Sequence, residues 1–105
     1  MAEFSNFELS TSEGVEDSYV AGVVSVSTSQ VEAKVGGSPL TGREVLRIFN
    51  NSNTTIYFGP SGLTASTGEP IYKNQWVEIK AKDSLSVYLL TASGTASDVR
   101  IQEMA

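Results

Sequence analysis

Apolar and polar residues alternate with a period of two along most of this chain, and no stretch carries the three-to-four-residue apolar spacing of a helix. The clearest case is residues 44–58, EVLRIFNNSNTTIYF. Leu46 and Ile48 alternate with Val45, Arg47 and Phe49, and Ile56 and Phe58 alternate with Thr55 and Tyr57. Between the arms stands Asn50-Asn51-Ser52-Asn53, whose side chains hydrogen-bond locally and tolerate turn geometry. The pattern predicts a β-hairpin, each arm offering one apolar face to a covering layer.

The same alternation organises the rest of the chain from residue 20 onward. Residues 20–35 read as two strands or one long bent strand, with Val24, Val26 and Thr28 on one side and Val31, Ala33 and Val35 continuing it. Gly42 is placed to supply a turn angle ahead of the hairpin, Gly59-Pro60-Ser61-Gly62 forms a tight turn, and 63–67 is a small polar connection. Ile71-Tyr72 begins a short strand that Lys73-Asn74 turns; in 75–81 (QWVEIKA), Val77, Ile79 and Ala81 share one side and Trp76, Glu78 and Lys80 the other. In 85–91 (LSVYLLT), Leu85, Val87 and Leu89 point inward and Tyr88 and Leu90 the opposite way, which predicts a central strand or a covered outer face. Residues 98–103 (DVRIQE) close the chain with Val99 and Ile101 inward against Asp98, Arg100 and Gln102. Strands of about six residues at about ten-residue spacing predict an all-β fold, a small antiparallel β-sandwich or jelly-roll-like barrel over 20–105.

Residues 1–19 differ in kind. Phe4, Phe7 and Leu9 stand among Ser, Thr, Asn and acidic residues without a period, which predicts an extended N-terminal arm. Burying those three side chains would return about 1.5 to 3 kcal/mol each, against roughly 1 to 2 kcal/mol for ordering each residue's backbone. Such a segment either frays or lies along a partner. In the second case Phe4, Phe7 and Leu9 are its anchors.

The net charge of −5 sits in that arm, where Glu3, Glu8, Glu13, Glu16 and Asp17 are the only charged side chains; seven acidic residues face seven basic ones in the remainder. An acidic arm on a neutral body argues against nucleic acid as a partner. No apolar run approaches a membrane span, and no signal peptide is read at the N-terminus. The chain has neither cysteine nor histidine, so thiolate chemistry, disulfides and the commonest general base and metal ligand are absent. Glu78, Asp83, Asp98 and Glu103 could supply a glycosidase carboxylate pair, yet each reads as an outward position or a turn. No loop has calcium-site spacing, and the glycine-containing turns lack the strand, helix and lysine of a phosphate cradle. The two Asn-x-Ser/Thr matches at Asn50 and Asn53 are read as turn residues. An enzyme, a metal site or a cofactor is therefore not expected. Trp76, beside Glu78 and Lys80, could form the platform of a carbohydrate site.

Residues 43–48 (REVLRI), 50–53 (NNSN), 55–62 (TIYFGPSG), 64–70 (TASTGEP) and 86–105 (SVYLLTASGTASDVRIQEMA) occur in an ordered succession. In that succession the last two thirds of the chain resemble a group of short virion proteins of tailed bacteriophages, β-sandwich modules used in capsid decoration and in small tail or fibre components. The resemblance implies a capsid decoration (cement) protein, made in the bacterial host cytoplasm and placed on the capsid surface of the virion. Its partner would be the major capsid protein, with self-association as a dimer or trimer and no membrane contact. The alternative it leaves is a tail or fibre component that binds a host-surface carbohydrate. Trp76 and Tyr88 are candidates for a subunit interface, or simply cover the outer side of the sheet.

Overall fold

Among the described residues the alternating segments form eight strands: β1 (Tyr19–Val26), β2 (Val31–Glu32), β3 (Val45–Asn50), β4 (Ile56–Gly59), β5 (Glu69–Ile71), β6 (Trp76–Lys80), β7 (Tyr88–Thr91) and β8 (Ala96–Met104). The computed structural model describes residues 18–105, so the anchors Phe4, Phe7 and Leu9 lie outside the described residues. The body begins earlier than the alternation suggests. Tyr19 already belongs to β1, and Ser18 and Ala105 exchange two backbone hydrogen bonds of 2.8 and 2.9 Å.

Two four-stranded antiparallel sheets face each other, the first in the order β1-β8-β3-β6 and the second in the order β2-β7-β4-β5. β1 pairs with β8, β2 with β7, β3 with β6 and β4 with β5, all antiparallel. The chain is thus one long hairpin folded about the 60–68 connection and rolled so that successive pairs alternate between sheets. This is jelly-roll topology.

The roll overturns the expected hairpin. β3 lies in the first sheet and β4 in the second, and they do not pair. The Asn-rich segment is instead a crossover, and the physical reason is Asn50. Its side chain is fully buried, donates from Nδ2 to the carbonyls of Thr54 and Ile71 at 2.9 Å each, and accepts at Oδ1 from Ser52 N and Oγ. Its backbone bonds Asn74 and Gln75, so the β3–β4 and β5–β6 crossovers are tied side by side. Lys73-Asn74 likewise turns the chain from one sheet to the other, with Asn74 at φ 62°.

Between the sheets lie Val26, Ala33, Leu46, Ile48, Ile56, Ile71, Ala81, Val87, Leu89, Ala96, Val99 and Ile101, with Phe58, Val77 and Ile79 packed against them. The central position expected for the LSVYLLT strand is observed, since β7 sits between β2 and β4. Leu90 and Leu63 are buried outside that core, and the 60–68 connection is correspondingly less polar in role than its composition suggests. A Cβ on Gly68 would come within 2.9 Å of Tyr57 Cβ and 3.0 Å of Leu63 Cδ1, so this approach requires glycine. Two side chains expected to share a side with core residues are exposed. β1 ends at Val26, leaving Thr28 exposed in a crossover, and Leu85 is exposed because β7 starts only at Tyr88.

Glu103 is the largest departure. It shares the inward side of β8 with Val99 and Ile101, is fully buried, and receives Arg43 Nη1 at 2.7 Å. Its carboxylate also accepts from Val35 N at 2.9 Å and Leu40 N at 3.3 Å. Arg43, presented just after Gly42 at φ 76°, donates further to the carbonyls of Ala81, Lys82 and Leu85. One ion pair therefore joins β8 to the β2–β3 and β6–β7 crossovers. Glu103→Ala leaves a buried guanidinium uncompensated and should cost about 3–5 kcal/mol, lowering the midpoint of thermal unfolding by more than about 10 °C. In the same circular-dichroism melts, replacing both partners by leucine should be less damaging than removing Glu103 alone.

Candidate functional site

Strand register builds a continuous outer face on the first sheet. Direct partners across antiparallel strands project to the same side, so the ladders define rows. One row runs Val23, Arg100, Phe49, Trp76; the next Ala21, Gln102, Arg47, Glu78; the third Tyr19, Met104, Val45, Lys80. Of the five large apolar side chains that are more than half exposed among the described residues, Tyr19, Val23 and Trp76 lie here. Tyr19 and Val23 stand on edge strand β1 and Trp76 on the opposite edge strand β6, with Arg100, Gln102, Phe49 and Arg47 between them.

Polar contacts hold its aromatic end. Arg47 lies 4.9 Å over the Trp76 ring, donates to Glu78 Oε1 at 2.8 Å and reaches Gln102 Oε1 at 3.4 Å. A cation over an exposed indole contributes about 0.5–1 kcal/mol, enough to bias the ring without fixing it. Arg100 donates twice to Asp98 at 3.1 Å, and Asn51 Nδ2 reaches the same carboxylate at 2.8 Å. The hydrogen bond from Arg100, then that from Asn51, hold the Asp98 carboxyl below its ordinary range, with partial desolvation opposing them and the Arg100 charge adding to them. Asp98 raises the pKa of Arg100 in turn. Because the folded-state pKa of Asp98 is the depressed one, what this cluster contributes is present at neutral pH and lost as pH falls through that value.

Beside this face, at the end of the roll where the β3–β4, β5–β6 and β7–β8 crossovers meet, Asn51, Ser52, Asn53, Thr54, Lys73, Asn74, Thr95 and Ser97 line a polar groove of about 490 Å³. Asn74 also borders a second depression of about 360 Å³ that ends at Trp76. Trp76 in turn borders a third with Arg47, Phe49, Arg100 and Gln102.

Of the residues singled out from sequence, Trp76 lies on this surface, 56 % exposed on edge strand β6. Tyr88 does not. It is half-buried on β7 of the opposite sheet, paired with Glu32 and Gly59, so the two aromatics stand on different sheets. The four carboxylates considered for acid–base work are apart and engaged: Glu78 with Arg47, Asp98 with Arg100, Glu103 with Arg43, and Asp83 accepting from Gly42 N at 2.8 Å. No cluster of three potential metal ligands occurs among the described residues. Arg47, Phe49 and Arg100 escaped the sequence reading because only strand register aligns them with Trp76. Lys73 and Asn74 escaped it because their turn was read as local punctuation.

No family model matches this chain, and neither the curated proteins nor the solved structures contain a match to it.

The ordering of influences on Asp98 is open to measurement. Followed by carboxyl-carbon NMR, the Asp98 midpoint should rise in both Arg100→Ala and Asn51→Ala, and further in the arginine variant.

Proposed function

We propose that this protein is a capsid decoration protein of a tailed bacteriophage, a non-catalytic module that binds the outside of the assembled head and reinforces contacts between major capsid subunits. The observation that carries the reading is the outer face of the first sheet, where Tyr19, Val23 and Trp76 stand exposed in the same cross-strand rows as Val45 and Phe49. Jelly rolls serve in viral capsid and lectin domains, so the fold is compatible with this role, although a fold alone does not assign one.

Size decides what the face can do alone. Four strands about 4.8 Å apart and some six residues tall project roughly 400 Å², about half of the 800 Å² per partner of a standard stable interface. A second contact is needed. Residues 1–17 supply it in this proposal, because they join the body at β1, the edge strand of that same sheet. Fully extended they would span roughly 55 Å, more than the 45 Å long axis of the molecule, which is reach enough for a neighbouring subunit. Association of the body as a dimer or trimer would let several such weak contacts act together, with gains of about 10²–10⁴ in avidity.

Co-sedimentation with heads lacking the protein tests this. The full chain should pellet at a fixed stoichiometry, and a chain starting at Ser18 should bind much more weakly. Trp76→Ala should lose at least about ten-fold in affinity, while Leu85→Ser, placed away from the docking face, should bind normally. Failure of the full chain to bind heads would overturn the assignment and move it to a tail or fibre component.

A further inference from the structure

The groove at the crossover end of the roll is a candidate binding site that adjoins the docking face and shares only Trp76 with it. We infer that it binds a neutral oligosaccharide, with Trp76 stacking on a sugar ring and the side chains of Asn53, Lys73, Asn74 and Ser97 bonding its hydroxyls.

The lining is polar and its working groups are uncommitted. The side chains of Asn53, Lys73, Asn74 and Ser97 make no hydrogen bond or ion pair with another described residue, although all four border one groove of about 490 Å³. That volume is within the usual range for small-molecule sites. A carboxamide offers both donors and an acceptor, as a sugar hydroxyl does, whereas an apolar ligand would leave these groups desolvated and unpaired. A nucleic acid would need several cations along the groove, and Lys73 is the one cation lining it.

The frame beneath those groups is fixed. The buried Asn50 ties the β3–β4 and β5–β6 crossovers together, Asn51 is held by Asp98, and Thr54 Oγ1 donates to Thr95 O at 3.3 Å. Asn74 is the hinge of the design, because it borders both the polar groove and the depression that ends at Trp76. It holds φ 62°, a backbone region that asparagine tolerates better than most residues, and its backbone N–H is fixed by Asn50 O at 2.8 Å. Arg47 already lies over one face of the Trp76 ring at 4.9 Å, so the polar groups left to share a sugar with Trp76 are these loop residues. Glu78, its neighbour on the strand, is already engaged with Arg47.

Trp76 is the only tryptophan, so its fluorescence reports the site directly. The full chain should be titrated with the neutral trisaccharides cellotriose, maltotriose and chitotriose. At least one should give a saturable change in Trp76 emission below about 20 mM, with matching NMR shifts of the Asn53 and Asn74 side-chain amides. Asn74→Gly removes the carboxamide while suiting the positive φ, so the fold should persist and the same sugar should bind at least about five-fold more weakly. Trp76→Ala should abolish the shifts at Asn53. No saturable change with any of the three sugars, or binding that Asn74→Gly leaves intact, overturns the proposal. Neither result bears on attachment to heads, which is read separately by sedimentation.

Discussion

The buried pair Arg43–Glu103 is the interaction on which the ordering of this molecule rests. Both side chains are completely withdrawn from solvent, and such a pair is tolerable only when the remaining donors and acceptors are satisfied. Here they are satisfied by backbone groups from residues far apart in sequence: Val35 and Leu40 on the carboxylate, Ala81, Lys82 and Leu85 on the guanidinium. The β2–β3 and β6–β7 crossovers run between sheets and so have no hairpin ladder of their own to hold them. The ion pair supplies the missing tie, and breaking it would leave two crossovers and the last strand without a common anchor.

β8 shows how one strand serves core and surface together. Its inward side carries Val99 and Ile101 into the core and Glu103 into the ion pair; its outward side carries Asp98, Arg100, Gln102 and Met104. Because β8 lies between β1 and β3, those outward residues form the middle of the exposed face. The register that buries Glu103 is thus the register that sets Arg100 beside Phe49 and Gln102 beside Arg47. A slip of one residue would expose the carboxylate and dismantle the rows at once.

Much of this was legible in the alternation, and the parts that were not have identifiable causes. Period two distinguishes the faces of Val77 and Ile79 from those of Trp76 and Glu78 without reference to what pairs with what. Pairing is another matter, since Asn50-Asn51-Ser52-Asn53 has the chemistry of a hairpin turn and equally that of a corner between sheets. Only the burial of Asn50 against Ile71 O separates the two, and that contact spans 21 residues. Glu103 could have been flagged, because strict alternation places it with Ile101. A default that treats carboxylates as solvated hid it. Arg43 carried no such signal, and the groove at Asn74 exists only because three connections distant in sequence meet.

The central claim is that the outer face of the first sheet, and not the second sheet, meets the partner. Hydroxyl-radical footprinting of the full chain, free and bound to heads, tests it within one sample. The account predicts that oxidation of Tyr19, Trp76 and Met104 falls sharply on binding while that of Tyr88 and Leu85 stays at its free level. Protection of Tyr88 and Leu85 with Trp76 still reactive would contradict it.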